Sequence, residues 1–435
     1  MFTPFSICPA WVLGAEGIGV MRHYPFAVCP AFAADTGMNQ FFTDLGRTVL
    51  ARWKRANFSL TQFPDIARKA LTERPPAKHV DVGTLVREFL LNDEQPYQTQ
   101  SGFGQPELVV FDDPRFYIQI LFWLEGTTDI HQHMFSGAFH VLAGSSIHST
   151  FTFEESEAVT VHLRVGQVRM RETQLLLKGS TVPIISGASQ IHSLFHLDTP
   201  SITVVIRTHS DAGSAPQFTY LPPHLAVDPY YDDALTARRK QLLDVLEQTG
   251  DPAYPDLVAK MVRDLDFERG MFILQNCLGH LRRLGKWEKC LQIFCKKHGR
   301  LAEFVGSTFD EIVRRDAMVE LRKSIVEPEH RFFLALLLNV PTRADILRMV
   351  GERFAGNPVD TIVRWVEELT EFTEIGVWLL DANIPMLAGL AEEPPVLFAA
   401  FRAFVEGAPR SPLKRADSAV LRAAFLRSSL RALVG

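Results

Sequence analysis

The chain has 435 residues, a formal charge of −5 and 47% hydrophobic residues, enough apolar material for two or three domains with a large core. This balance excludes the basic footprint of a nucleic-acid binder and a polybasic membrane surface. No run of about 18 uncharged apolar residues occurs, which argues against a membrane span, and Cys8, Cys29, Cys277, Cys290 and Cys295 form no CxxC pair and read as free thiols in a reducing cytoplasm.

Residues 1–37 carry Pro4, Pro9, Pro25 and Pro30 and read as an irregular arm, or as an extension ahead of a start at Met21 or Met38. Their short, proline-broken apolar stretches make a poor signal peptide. Residues 38–106 read as a helical lead-in, with segments at 39–58, 65–73 (stopped by Pro75-Pro76) and 81–91. From 107 to 222 helical periodicity gives way to short apolar runs at 107–111, 116–125, 130–134, 138–142, 147–153, 158–163, 168–177, 181–185, 191–197 and 202–207. Gly126, Gly137, Gly144, Gly166, Gly179 and Gly187 punctuate them, a pattern that predicts an all-β barrel or a double-sheet jelly roll.

After Pro222-Pro223 the helical period returns, at 232–248, 255–265, 268–283, 286–296, 309–323, 329–339, 342–353, 358–371, 395–405 and 415–433. Thr342 with Asp345 reads as a capping box with an acid at its third helical position, and a winged-helix-like piece is expected around 342–382. The fold class is therefore α+β: helices, a barrel, then a helical domain over 223–435. That last region suits a homodimer contact or a protein partner.

The chemistry concentrates in DIHQHMFSGAFHVLAGSS, residues 129–146. On a strand His131 and His133 project to the same side, and a third histidine from elsewhere would complete a transition-metal site. Of the 14 histidines, His131, His133, His140, His148, His162, His192, His196 and His209 fall in the β segment. For any one of them a packed or surface role is the ordinary reading; the paired His131 and His133 depart from it because of their setting.

That setting is Gly126-x4-His131-x-His133-x10-Gly144, with Val141-Leu142 ahead of the last glycine, which resembles the first motif of the cupin superfamily (the RmlC-like jelly rolls). Gly179-x7-Gly187 followed by His192 resembles its second motif. The resemblance covers the barrel segment only and implies a cupin-type β-barrel, or double-stranded β-helix, holding one divalent metal, with His131, His133 and His192 as ligands. The chain departs from the family pattern at three places. The glutamate ligand is expected at Gly137 or Ala138, which have no ligating atom; Gln190 stands where the last histidine usually lies; and Ile185 replaces a proline.

Three neutral imidazoles without a carboxylate leave the metal its full charge and open positions, a set suited to Fe(II), Cu, Ni or Zn. Cupins of this kind resemble thiol dioxygenases and some ring-cleaving dioxygenases. The resemblance thus implies an Fe(II) dioxygenase acting on a small organic substrate. The alternatives are a redox-neutral lyase or isomerase using Zn, Ni or Mn, and a non-catalytic sensing or scaffold protein.

His196 is the candidate catalytic residue, an acid/base group beside the metal, with a fourth ligand or a packed side chain as equal readings. The direction of His140 is ambiguous, and His148, His162 and His209 read as exposed or structural. Asp129, Gln132, Gln190 and Glu125 are candidates to fix the ligand tautomers. Tyr117, Gln119 and Trp123 share one strand face and line the pocket if that face is interior; otherwise Ile118, Ile120 and Phe122 do, an arrangement that apolar packing favours. Tyr117, Gln119, Gln190 and Arg207 are the candidate substrate-binding residues, Arg207 by pairing a substrate carboxylate.

Overall fold

The computed structural model describes residues 37–93, 95–98, 103–124, 129–231, 233–371, 394–408 and 415–435. Helices α1 (Gly37–Arg55), α2 (Phe63–Glu73), α3 (Pro76–His79) and α4 (Val82–Leu91) precede the barrel. Its strands are β1 (Glu107–Asp113), β2 (Phe116–Trp123), β3 (Ile130–His131), β4 (Gly137–Ala143), β5 (Ser146–Ala158), β6 (Leu163–Leu176), β7 (Thr181–Ile184), β8 (Ile191–His196), β9 (Ser201–Thr208), β10 (Thr219–Leu221) and β11 (Leu225–Val227). They form a five-stranded sheet in the order β1-β2-β9-β4-β7 and a closed six-stranded antiparallel barrel in the order β10-β11-β6-β5-β8-β3.

The run expected as a separate strand at 158–163 is instead the tip of one long β5–β6 hairpin. Gly166 looked like a turn but lies inside β6, where a Cβ would meet the Phe153 ring at 2.7 Å and the Glu154 carbonyl at 2.8 Å. Its glycine answers a close approach rather than a change of direction. The three-residue strands β10 and β11 carry too short a pattern to be read from sequence.

Strand β2, FYIQILFW, is buried on both faces, and the two faces have different partners. Phe116, Ile118, Ile120 and Phe122 pack against Phe42, Leu45, Trp53, Phe63 and Leu71 of α1 and α2. Leu121 and Trp123 turn the other way, into a core shared with Phe139, Val141, Leu176, Val182, Leu194 and Val205 between the two sheets. The arrangement favoured from apolar packing is therefore reversed: the fully apolar face is covered by the N-terminal helices, and the Tyr117–Gln119–Trp123 face is interior. Helices that precede a sheet can bury one of its faces as well as a second sheet can.

The C-terminal helices are α5 (Ala234–Thr249), α6 (Tyr254–Asp264), α7 (Phe267–Arg283), α8 (Trp287–His298), α9 (Glu303–Ser324), α10 (Pro328–Asn339), α11 (Arg343–Arg353), α12 (Pro358–Glu371), α13 (Pro394–Glu406), α14 (Arg415–Arg427) and α15 (Arg431–Val434). Asp233, Asp266 and Thr342 cap α5, α7 and α11 by accepting from the backbone N–H groups of Thr236, Arg269 and Asp345, each satisfying an otherwise unpaired donor. The part of the expected winged-helix-like piece that is described, 342–371, holds α11 and α12, and its end, residues 372–382, lies outside the described residues.

These helices make two cores against the barrel. Leu163, Val165, Leu225 and Val227 join the core of α5–α9, which also buries Cys277 and Cys290. Ile147, Phe195 and Leu197 join the core of α10–α15. Arginines fasten the junction: Arg322 donates to the Leu197 carbonyl (3.0 Å), Arg348 to the Thr173 carbonyl (2.9 Å), and Arg353 to Ser145 Oγ (2.6 Å) and Asp198 (3.2 Å). Much of the apolar surface that suggested a partner-binding face is thus buried on the chain's own barrel. No helix among the described residues is long and apolar enough to cross a membrane.

Arg353→Ala removes the bonds to Ser145 and Asp198 and is expected to lower stability by about 1–3 kcal/mol, because a partly buried carboxylate then loses its cation. Chemical denaturation checks this. Arg353→Lys, which keeps the charge without the fork, should recover part of the loss.

Candidate metal centre

Residues i and i+2 on a strand share a face, and the register supplies the rest. His131 of β3 pairs directly with His192 of β8 across an antiparallel ladder. His133, two residues beyond, forms a bridge with Ser186, and the Gly187 backbone N–H donates to its carbonyl at 2.8 Å. Gly187 has φ +78°, which a side-chain-bearing residue rarely adopts, so the glycine of the second motif is what lets that turn hold the first motif's histidine. The ligating nitrogens of His131, His133 and His192 consequently lie within 4.8 Å of one another, and all three residues are buried.

Nε2 of His133 and Nε2 of His192 are 2.8 Å apart. Nitrogens bound to one metal at about 2.1 Å stand about 3–3.5 Å apart, so the pair needs only a small separation to share an ion. Nδ1 of His131 is 2.7 Å from the Asp129 carbonyl, which can only accept. His131 therefore carries its proton on Nδ1 and presents the Nε2 lone pair, and that buried atom has no hydrogen-bond partner. Of the tautomer-fixing candidates Asp129 does act, through its backbone. Burial lowers the pKa of all three histidines; for His133 and His192 the neighbouring histidines lower it further, as does the Arg207 cation for His133. Neutral imidazoles with an unpartnered lone pair are the form a cation requires.

His192 is fixed by a residue that sequence reasoning set aside. Nδ1 of His192 is 3.0 Å from Nε2 of His148 on β5, and Nδ1 of His148 is 3.0 Å from the Gln174 side-chain amide on β6. His148 is thus buried and not exposed, and burial takes its pKa down to about 4. The Gln174 atom that meets His148 is the amide nitrogen. For His192 to offer Nε2 to a metal, its Nδ1–H donates to His148 Nε2, and the Gln174 amide turns over so that its oxygen accepts from the His148 Nδ1–H. Nothing local marks His148: it reaches His192 through the β5–β8 register, in which Thr150 pairs with His192.

The other candidates divide. His196 shares the interior face of β8, but it lies about 13 Å along the strand from His192 at about 3.3 Å per residue. It is outside the histidine cluster, its ring stacks on Trp123 (centroids 4.5 Å apart), Nδ1 meets Ser146 Oγ at 3.0 Å, and burial takes its pKa down to about 3. His140 faces the N-terminal helices: Nε2 accepts from the Ala77 backbone N–H and Nδ1 meets Thr181. His162 bonds Asp228, and His209 bonds the Asp113 carbonyl. Gln190 commits its amide to the Ile185 N–H and the Pro183 carbonyl, closing the β7–β8 turn. Gln132 bonds Tyr220 and the Pro216 carbonyl, and Glu125 lies outside the described residues.

Around the cluster the walls are aromatic. Phe103 stands edge-on to His131 (6.4 Å), and Phe135 packs on His133 (4.3 Å). The half-buried Arg207 guanidinium lies 3.3 Å from the Phe135 ring centroid and 5.2 Å from that of Tyr117, so a cation stands one ring away from His133. Gln119, on the same interior face as Tyr117, is only 2% exposed.

The position of the missing glutamate now has a physical account. A Cβ on Gly137 would sit 1.9 Å from the Ile206 carbonyl of β9, so no side chain fits there. Ala138 points away, into the core with the N-terminal helices. Ser136 instead donates to Asp211, which also accepts from Thr208.

No family model matches the chain, and no curated protein matches it. Solved structures with partial similarity include hydroquinone 1,2-dioxygenase from Sphingomonas sp. TTNP3 with 4-hydroxybenzoate bound (11% identity, 25% of this chain and 68% of that one, TM-score 0.20). Others are a cupin-2 domain containing protein from Shewanella frigidimarina NCIMB 400 (13% identity, 29% and 92%, TM-score 0.18) and the DMSP lyase DddQ from Ruegeria pomeroyi DSS-3 (14% identity, 42% and 98%, TM-score 0.23).

Two mutations test this geometry. His148→Phe keeps a ring at that place but removes the acceptor, and is expected to weaken metal binding about 10–100-fold in a competitive chelator titration, with the far-ultraviolet dichroism unchanged. Gly137→Ala is expected to cost about 3 kcal/mol or more, since two backbones must separate, and thermal denaturation reads this directly. Two antiparallel sheets, glycine turns and histidines held between them are the arrangement that the resemblance to the cupin motifs implies.

Proposed function

We propose that this chain is a mononuclear metal enzyme, an Fe(II) dioxygenase acting on a small organic anion, with His131, His133 and His192 as the metal ligands. The observation that carries the reading is the buried trio of neutral imidazoles with no carboxylate among them. When bound there, iron keeps its full +2 charge and supplies the electron-transfer chemistry that dioxygen requires.

The chain's own residues do the remaining work. Asp129 and His148 hold the rings of His131 and His192 in the metal-binding tautomers. Arg207, half-buried beside Phe135 and near His133, offers the countercharge for a substrate carboxylate or phenolate. Tyr117 and Gln119 present polar atoms on the same interior face. Phe103, Trp123 and Phe135 exclude water and give a planar or apolar substrate body a surface to pack on. His196, stacked on Trp123 at the far end of β8, supports that wall and is not assigned to the chemistry.

Aerobically purified protein is expected to carry close to one iron per chain by elemental analysis, and His131→Ala to carry less than a tenth of that. Oxygen consumption on screening small phenols, thiols and carboxylates should depend on the iron. Equal metal content in the variant would overturn the ligand assignment, and turnover of the same substrate under anaerobic conditions would overturn the dioxygenase.

A further inference from the structure

Behind the histidine-bearing strands the structure holds a half-open pocket. A cavity of about 420 Å³ lies between the barrel and helices α9, α10 and α14, within the range of small-molecule sites. Ile130 and Ser193 line it, and each is the chain neighbour of a histidine, His131 and His192 respectively. Because side chains alternate along a strand, the cavity lies on the opposite side of the sheet from the three-histidine cluster. Its barrel wall is otherwise apolar, with Phe151, Val168 and Met170.

The helical wall carries charge. Glu311 is bound in a fork by Arg314 (2.8 and 2.7 Å) and also meets Arg431 at 3.6 Å, so this carboxylate is already shared by two cations. Arg315, the next residue, lines the same cavity. Its guanidinium has only long bonds to the Leu338 carbonyl (3.4 Å) and Asn339 Oδ1 (3.5 Å), and no carboxylate within 4.0 Å among the described residues. Glu311, Asp129 and Asp316 act on it from further away, and desolvation still draws its pKa down. A half-buried guanidinium with no close carboxylate gains from an anion that enters the pocket beside it.

We propose that this cavity is a binding site for a small organic carboxylate, its anionic end on Arg315 and its hydrocarbon body against Ile130, Phe151, Val168 and Met170. One guanidinium without a close carboxylate among the described residues matches a monocarboxylate, and the apolar wall opposite disfavours inorganic phosphate, which has no surface to bury there. The site is separate from the proposed metal centre and does not depend on it. It also gives the helical region a role: α9 and α10 build the cationic half of a pocket that the barrel alone lacks.

Hexanoate is the probe, with hexanol as its uncharged counterpart and phosphate as its apolar-free counterpart. Calorimetric titration of the full chain is expected to show one saturable hexanoate site, with hexanol and phosphate each at least tenfold weaker. Arg315→Gln and Val168→Trp, which fills the cavity from the barrel side, should each weaken hexanoate at least tenfold. His131→Ala should bind it as the parent does. Dichroism and melting temperature establish that the variants are folded, and should Arg315→Gln not fold, Val168→Trp decides the question. The proposal is overturned if hexanoate does not saturate by about 10 mM, if hexanol or phosphate binds equally well, if a folded Arg315→Gln or Val168→Trp variant binds like the parent, or if His131→Ala abolishes binding.

Discussion

The pairing of His131 with His192 across β3 and β8 is the contact on which the rest of the site depends. Strand β3 is two residues long, held between β8 on one side and β10 on the other, so little of it is held by its own length. Its register is maintained by what surrounds it: the closed barrel, the Gly187 turn that grips the His133 carbonyl, and the Asp129 carbonyl that grips the His131 ring. A slip of one residue would send both imidazoles to the opposite face, toward the cavity lined by Ile130 and Ser193.

Burial then sets the chemistry of the cluster. Removing three imidazoles from water disfavours their protonated forms, and their mutual proximity adds to this. The lone pairs left over are the costly feature of the metal-free state, and they are what a cation satisfies. The chain from Gln174 through His148 to His192 has the same logic one layer out. Each partner fixes the next ring's tautomer, so an amide on β6 helps decide which nitrogen faces the centre.

The helices belong to this design. α1 and α2 cover the Phe116–Ile118–Ile120–Phe122 face of β2, and by doing so assign the more polar face, with Tyr117 and Gln119, to the interior. The C-terminal helices cover the outward residues of β5 and β8, Ile147 and Phe195, while Arg322, Arg348 and Arg353 anchor them to barrel backbone and side chains. Two apolar cores and an arginine seam make the helical region a continuation of the barrel's packing.

Most of the elements were legible in the sequence, because periodicity and turn residues are local signals. The helical segments at 268–283, 329–339 and 358–371 and the β runs at 116–125 and 191–197 could be read that way, as could the shared face of His131 and His133. The choice of His192 as third histidine came from motif resemblance, and the fold brings it to the other two. What the sequence could not decide was every question of which face meets which neighbour. Whether Tyr117 or Ile118 points inward, whether His148 touches His192, and whether His196 reaches the centre depend on register and on covering helices far away in the chain. Gly137 shows the same division. Its lack of a carboxylate is written in the sequence, but the reason that no side chain fits there is the backbone of β9, distant in the chain, which only folding brings alongside.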